Sequence, residues 1–160
     1  MRVSKLKNRR TLVRLLHRHR RNGRSVVFTN GCFDLLHPGH IRLLAFAKRQ
    51  GDILVVGLNS DRSVRALKGP GRPIQRGNDR AELLSALPSV DYVTLFGEKT
   101  PERLIRALKP DVLVKGADWK KGKVVGSAFV RSTGGRVLSF PLLRGRSTSS
   151  LVGKIRKRHR

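Results

Sequence analysis

The 160-residue sequence contains one cysteine, one tryptophan and one tyrosine. A single cysteine, Cys32, cannot form an internal disulfide, which excludes a disulfide-stapled scaffold and favours a reducing compartment. No apolar run approaches the roughly 18 residues that a membrane-spanning helix requires, and no apolar segment of signal-peptide length follows the basic N-terminus. These absences predict a cytoplasmic protein that does not associate with a membrane.

Acidic residues are also scarce, since 10 Asp and Glu stand against 36 Lys and Arg, for a formal net charge of +26. Such an excess usually indicates a polyanionic partner, which can be a nucleic acid or a phosphorylated substrate. The basic residues are concentrated at 5–24 and 154–160, while aromatic side chains that stack on bases are few. We expect nucleic acid to bind only nonspecifically; a dedicated nucleic-acid-binding module is the alternative.

Short apolar segments alternate along the chain with segments of helical periodicity. The predicted strands are residues 25–29, 53–58, 92–96, 112–114 and 137–140. Their alternation with helices is typical of an α/β protein with a parallel sheet and helices on both faces. We predict a single Rossmann-like, doubly wound domain over residues 1–160, with a basic N-terminal helix at 1–24 and a basic C-terminal tail at 153–160. Residues 59–79, rich in Gly, Pro and Arg, are predicted to be irregular, either a substrate loop or a plain surface loop.

The most informative segment is residues 28–40, FTNGCFDLLHPGH. A predicted strand enters a glycine-containing turn, and His37 and His40 follow where Pro38 marks the start of a helix. Residues three apart share a helix face, and a helix N-terminus favours phosphate through its free N–H groups and its dipole. The segment therefore predicts a phosphate-binding turn at the carboxyl end of the first strand, where parallel sheets bind ligands.

Other interpretations of the histidine pair fit less well. Two surface histidines at a helix start need no function, but the order of strand, glycine turn, histidine pair and helix favours a site. A zinc pair on one helix usually has the spacing HExxH and further ligands, and no Glu lies between His37 and His40. We therefore predict no metal-binding residues. A dinucleotide-dependent dehydrogenase is disfavoured because no GxGxxG follows the first strand.

Residues 28–40, with their His-Pro-Gly-His, resemble the HxGH signature of the cytidylyltransferase-like nucleotidyltransferases. Within that superfamily the sequence is most similar, over residues 10–156, to the D-glycero-β-D-manno-heptose 1-phosphate adenylyltransferase domain of ADP-heptose synthesis. HxGH alone marks the superfamily, whereas the whole set of matching stretches is more selective. Those stretches are Asn59-Ser60-Asp61, Leu67-Lys68-Gly69, Arg72-Pro73, Asp79-Arg80, Asp91-Tyr92-Val93, Thr100-Pro101, Lys115-Gly116-Ala117-Asp118-Trp119 and Ser147-Thr148-Ser149.

The resemblance implies transfer of AMP from ATP to a sugar 1-phosphate, giving ADP-heptose and pyrophosphate when the sugar is the heptose. Mg²⁺ would accompany ATP, held mainly by phosphate oxygens and water. In relatives this domain is often fused to a sugar kinase. This sequence has no such half, so we expect a separate sugar kinase to act upstream in the pathway. A homodimer is also expected. Glycerol-3-phosphate cytidylyltransferase and FMN adenylyltransferase are the alternatives within the superfamily, and the TNGCFD turn argues against both.

The resemblance also implies roles for individual residues. His37, His40 and Lys68 would be catalytic. Asp34, Asn59 and Asp61 would bind the second substrate, although Asp34 is also suited to bracing the turn and Asp61 to capping a helix. The nucleotide and its phosphates would contact Thr29, Asn30, Gly31, Cys32, Phe33, Gly39, Arg80, Gly116, Asp118, Trp119, Ser147, Thr148 and Ser149.

The Ser147-Thr148-Ser149 element departs from the superfamily pattern at two positions. Arg146 replaces an apolar residue or a cysteine, and Val152 stands where many relatives carry Lys or Arg. Lys154 and Arg156 are the two candidates for the missing cation.

Overall fold

The computed structural model describes residues 4–116, 124–141 and 148–158. Its strands are β1 (Val26–Gly31), β2 (Ile53–Asn59), β3 (Tyr92–Phe96), β4 (Val112–Gly116) and β5 (Arg136–Phe140). All pair in parallel in the order β3-β2-β1-β4-β5. The strand order reverses at β1, so the crevice at the carboxyl ends of β1 and β4 is the switch point where such sheets bind ligands.

Helices cover both faces of the sheet. In the part of the chain described above they are α1 (Arg9–Arg21), α2 (Pro38–Lys48), α3 (Asp61–Lys68), α4 (Gly77–Ala86), α5 (Glu102–Leu108), α6 (Ser127–Ser132) and α7 (Thr148–Arg158). Buried residues of α2 and α4 pack on one face, and those of α1, α5 and α6 pack on the other. The predicted doubly wound α/β fold is confirmed. None of these helices has both the length and the apolar character needed to cross a bilayer.

The stretch 59–79 differs from the prediction because it contains α3. Ser60 caps this helix by accepting a hydrogen bond from the Ser63 N–H at 3.3 Å, and Val64 is buried beneath it. Ser60, not Asp61, is therefore the cap. α4 also begins earlier than expected, at Gly77. The short amphipathic helix α3 was not predicted because Gly and Pro residues follow it closely in the sequence. Burial of one of its faces stabilises it.

Both ends of the chain also differ in detail from the prediction. α1 occupies Arg9–Arg21 of the expected 1–24 helix, and the extended segment before it forms a parallel bridge from Leu6 to Val93. That segment covers the outer edge of β3, whose backbone groups would otherwise be unpaired. At the other end, residues 153–158 of the expected tail continue α7.

Three of the scarce acidic residues fasten the strands at their amino ends. Asp52, Asp91 and Asp111 each precede a strand and accept a hydrogen bond from a backbone N–H on or just before a neighbouring strand. Such charge-assisted bonds hold the strands in register. These carboxylates therefore lie at the sheet edge opposite the switch point.

Candidate active site

The turn between β1 and α2 packs a phenylalanine against a histidine. Phe33 adopts a left-handed conformation with φ 44°, and its buried ring lies 5.1 Å from the His40 ring, centroid to centroid. Gly31 makes this packing possible, because a Cβ at that position would lie 3.1 Å from the Phe33 ring. The glycine of the motif therefore leaves room for the Phe33 ring that packs against His40.

His37 and His40 stack on each other at the start of α2, with ring centroids 3.8 Å apart and ring planes 26° apart. His37 is the N-cap, and its Nδ1 accepts a hydrogen bond from the Gly39 N–H at 3.1 Å, followed by Pro38 in the first turn. This bond leaves the proton of neutral His37 on Nε2. The helix start therefore presents an imidazole donor, while the first N–H groups of α2 are engaged within the turn, since Pro38 has none and those of Gly39 and His40 donate to His37.

Both histidines are neutral near pH 7. Burial, with a contribution from the neighbouring His37, lowers the pKa of His40 to about 4. Burial also lowers the pKa of His37. Each neutral ring therefore carries one N–H donor and one acceptor nitrogen.

The lowered pKa of His40 predicts a fold that weakens in acid. Between an unfolded pKa of 6.5 and a native pKa of about 4, the unfolded chain binds more protons, so stability falls as pH falls through this window. We expect His40 to contribute up to about 3 kcal/mol of that loss. Urea unfolding at about pH 7 and pH 4.5 should show a smaller loss for His40→Gln than for the unsubstituted protein. An equal loss of stability in both proteins would show that the lowered pKa of His40 does not contribute to acid sensitivity.

Cations from three elements converge on Cys32 in this turn. Burial raises the pKa of the thiol, while Lys68 from α3, Arg80 from α4 and Lys115 from β4 oppose that rise. Burial prevails, and Cys32 stays a thiol with weak nucleophilic character. The positive field at the turn favours a polyphosphate.

Arg80, which the resemblance assigns to a phosphate, is engaged by other groups of the protein in this structure. Its guanidinium is completely buried and donates to the carbonyls of Gln75, Cys32 and Asn59. It also pairs with Asp61 at 2.7 Å. Because four of its five N–H donors bind other groups of the protein, Arg80 is a brace that ties the β1–α2 turn to the end of β2.

Asp34 likewise braces the turn rather than facing a substrate. Its carboxylate accepts from the backbone N–H groups of Ile74 and Gln75 and pairs with Arg72 at 3.0 Å. Burial acts to raise the pKa of Asp34, but these hydrogen bonds outweigh it and lower the pKa below the usual range. Asp34 therefore anchors the loop between α3 and α4 under the histidine turn.

Of the other two residues expected to bind the second substrate, only Asp61 is accessible. Asn59 is buried, and its Nδ2 donates to Ser63 Oγ at 2.6 Å. The Asp61 side chain retains 34% exposure beside its Arg80 partner. Asn59 is buried because it lies on β2, a strand that is buried along its whole length.

Lys68 and the other residues predicted to bind the nucleotide lie on several different elements, and some of them lie outside the described ranges. Lys68 is exposed at the end of α3 and Gly116 ends β4. Thr148 Oγ1 donates to the Leu35 carbonyl at 3.4 Å, which brings the start of α7, including Ser149, to the histidine turn. Thr29 is fully buried under that turn. The residues outside the described ranges are Asp118, Trp119 and Ser147.

Sequence reasoning missed the role of Lys115. This residue lies at the end of β4, is 5% exposed, and donates from Nζ to Oδ1 of Asn30 on β1. A lysine inside an apolar strand segment, VLVKG, was the available signal, because a buried cation requires a polar partner.

A stacked histidine pair thus lies on a helix start at the switch point of this sheet. A family model described as cytidylyltransferase-like matches residues 28–130. The chain therefore belongs to the cytidylyltransferase-like family, and the family prediction is confirmed.

Curated relatives agree with this membership. The chain is 52% identical over 156 residues to "Bifunctional protein HldE" of Trichlorobacter lovleyi, covering 98% of this chain and 32% of the relative. It is 57% identical over 141 residues to the protein of the same name from Gluconobacter oxydans, covering 88% and 29%. The chain thus spans about a third of the length of the curated relatives it matches.

Two solved structures share the fold. The lipopolysaccharide core biosynthesis protein from Thermoplasma volcanium is 31% identical with a TM-score of 0.61, over 76% of this chain and 98% of that one. Pantoate-beta-alanine ligase from Francisella tularensis has the same TM-score of 0.61 at 14% identity, over 92% and 69%. The second likeness concerns the fold alone.

Proposed function

We propose that this chain transfers AMP from ATP to D-glycero-β-D-manno-heptose 1-phosphate, giving ADP-heptose and pyrophosphate. The observation that carries the proposal is the neutral, stacked His37 and His40 pair, held on a helix start at the switch point. Identities of 52% and 57% with HldE proteins support the choice of nucleotide and sugar. Because ATP and sugar phosphates are cytoplasmic metabolites, we also propose a cytoplasmic location.

The proposed reaction is an in-line displacement. An oxygen of the sugar 1-phosphate attacks the α-phosphorus of ATP, a new P–O bond forms, and the bond to the β-phosphate oxygen breaks to release pyrophosphate. Positioning and charge stabilisation supply most of the rate in such transfers. The Nε2–H of His37 and the positive end of the α2 dipole would hold phosphate oxygens, and Lys68 would neutralise the departing pyrophosphate.

Mg²⁺ would enter this site with ATP. Among the described residues, no three His, Cys, Asp or Glu side chains cluster so as to hold a metal. The nearby carboxylates of Asp34 and Asp61 are already paired with arginines. We therefore propose that phosphate oxygens and water surround the ion, which suits its octahedral shell, and that the ion reduces the charge of the triphosphate. A sugar kinase would supply the acceptor.

Pyrophosphate release provides the test. ATP, GTP, CTP and UTP are each assayed against a panel of sugar 1-phosphates that includes the heptose, with glycerol-3-phosphate and FMN as further acceptors. We expect ATP with the heptose 1-phosphate to give the highest kcat/KM. Faster turnover of CTP with glycerol-3-phosphate, or of ATP with FMN, would overturn the proposal in favour of the corresponding relative.

Lys68→Ala is expected to lower kcat by roughly ten- to a hundredfold while changing KM less, because a charge that stabilises the leaving group acts mainly in the transition state. Its Tm without ligand should not change, since Lys68 is exposed. Lys99→Ala, which removes an exposed lysine before α5, is the control. Lys48 is unsuitable for that purpose because it pairs with Asp91 at 2.6 Å. Equal kinetics for the Lys68 and Lys99 variants would exclude a role for Lys68.

Nucleic acid, in our proposal, binds only through exposed charge. The outer face of α1 presents Arg10, Arg14, Arg18 and Arg21 at helical spacing, while Leu12 and Leu16 are buried in the core. Four aligned cations form a surface that phosphates of any sequence can contact.

We expect duplex DNA to bind weakly and to lose at least tenfold in affinity between about 50 and 200 mM salt. Changing the four α1 arginines to Gln should flatten this salt dependence more than changing four exposed arginines elsewhere. Those control positions are Arg49, Arg62, Arg65 and Arg131. Sequence-specific binding at physiological salt would instead indicate a dedicated nucleic-acid-binding module.

A further inference from the structure

Two polar side chains meet at the crevice where the strand order reverses. Lys115 of β4 is almost fully buried, and its Nζ donates a hydrogen bond to Oδ1 of Asn30 near the end of β1. β1 and β4 are neighbours in the sheet, so this contact lies at the ligand-binding edge rather than within the hydrophobic layers.

The contact fixes the orientation of the Asn30 amide. An ammonium group is a donor only, so it can face the amide oxygen and not the amide nitrogen. The two N–H groups of Nδ2 are therefore turned away from Lys115. Asn30 is half-buried, and within the described residues its Nδ2 makes no hydrogen bond. The end of β1 thus presents two amide donors in a fixed direction.

Asn30 lies on the other side of β1 from the histidines. Side chains alternate along a strand, and Asn30 shares the face of Phe28, which packs with α1 and α5. α2, which carries His37 and His40, covers the opposite face. A phosphate chain that crosses the end of β1 would therefore meet imidazole donors on one side and the Asn30 amide on the other.

We propose that Lys115 is a positioning residue that holds Asn30 so that Nδ2 donates to the phosphate chain of the bound nucleotide. The proposal names a contact within the nucleotide site and so rests on the proposed function. Gly57 of β2 keeps space beside Asn30, since a Cβ there would lie 3.2 Å from the Asn30 Cβ. Lys115 also belongs to the group of cations around Cys32, two residues further along the turn.

Asn30→Asp separates this role from a purely structural one. A carboxylate keeps an acceptor for Lys115, and as an ion pair it would hold β1 and β4 together at least as well. It also replaces the two donors with negative charge, which repels phosphate. We expect a stable variant whose Kd for ATP, measured by calorimetry without acceptor, rises at least tenfold. An unchanged Kd would overturn the proposal.

Lys115 is tested by a charge-free and a charged replacement. Lys115→Met should raise the Kd for ATP and for inorganic tripolyphosphate by about tenfold, whereas Lys115→Arg should restore most of the affinity. If Lys115 acts through Asn30, the Lys115→Met and Asn30→Ala double variant should bind little more weakly than either single variant. Additive effects would contradict that coupling. Lys99→Met serves as the matched control.

These binding measurements do not depend on turnover. If the unsubstituted protein binds ATP but releases no pyrophosphate with any acceptor, the proposed function fails, and the role of Lys115 is still decided by the titrations. If turnover is normal and Asn30→Asp binds ATP like the unsubstituted protein, only the role of the pair fails.

Discussion

His37→Asn is expected to lower turnover at least about a hundredfold without unfolding the protein. Asparagine is a good N-cap and can still accept the Gly39 N–H, so α2 should begin as before. It cannot present the Nε2 donor at the position where the imidazole does. A preorganised donor to developing charge contributes roughly 2.7–4 kcal/mol to transition-state stabilisation, which sets the expected loss. Steady-state pyrophosphate release, with Tm measured in parallel, provides the check.

His40→Gln should lose activity to a similar extent, because His40 is packed against both Phe33 and His37 at the same helix start. His17→Gln, which removes an exposed histidine on α1, is the control and should behave like the unsubstituted protein. A folded protein that carries both His37→Asn and His40→Gln and keeps near-normal turnover would rule out the mechanism.

Arg80→Met is expected to destabilise the protein by at least roughly 1–3 kcal/mol, the range for leaving a buried acceptor without its donor. The substitution leaves the carbonyls of Cys32, Asn59 and Gln75 without their donor and removes the partner of Asp61. Arg80→Lys should recover only part of the loss, since an ammonium cannot reproduce the planar fork. Urea unfolding at about pH 7 measures both.

The control for Arg80 is Arg106→Met, which removes an exposed i,i+4 pair with Glu102 and should cost about 1 kcal/mol or less. The two interpretations of Arg80 predict opposite results. A brace predicts lost stability, followed by lost ATP affinity as the turn loosens. A phosphate ligand, as the resemblance implies, predicts weakened ATP binding at unchanged stability, and that result would contradict the bracing role.

The sequence alone was sufficient for the architecture and for the local structure around His37 and His40. Apolar runs alternating with helical periodicity define a parallel α/β sheet, because each pattern reflects which neighbours a residue buries within a few positions. The order of strand, glycine turn and histidine pair likewise placed His37 and His40 at a helix start. Both features are encoded by contacts close in sequence.

Tertiary structure alone decided which polar residues are left for a ligand. Arg80 reaches the Cys32 carbonyl 48 residues away, and Lys115 reaches Asn30 across 85 residues. A motif shows that an arginine or an aspartate belongs to a site. It does not show whether the hydrogen-bonding groups of that residue are already paired with other groups of the protein. Arg80 and Asp34 are paired within the protein because a buried charge requires a partner. Those partners come together only once the strands and loops have assembled.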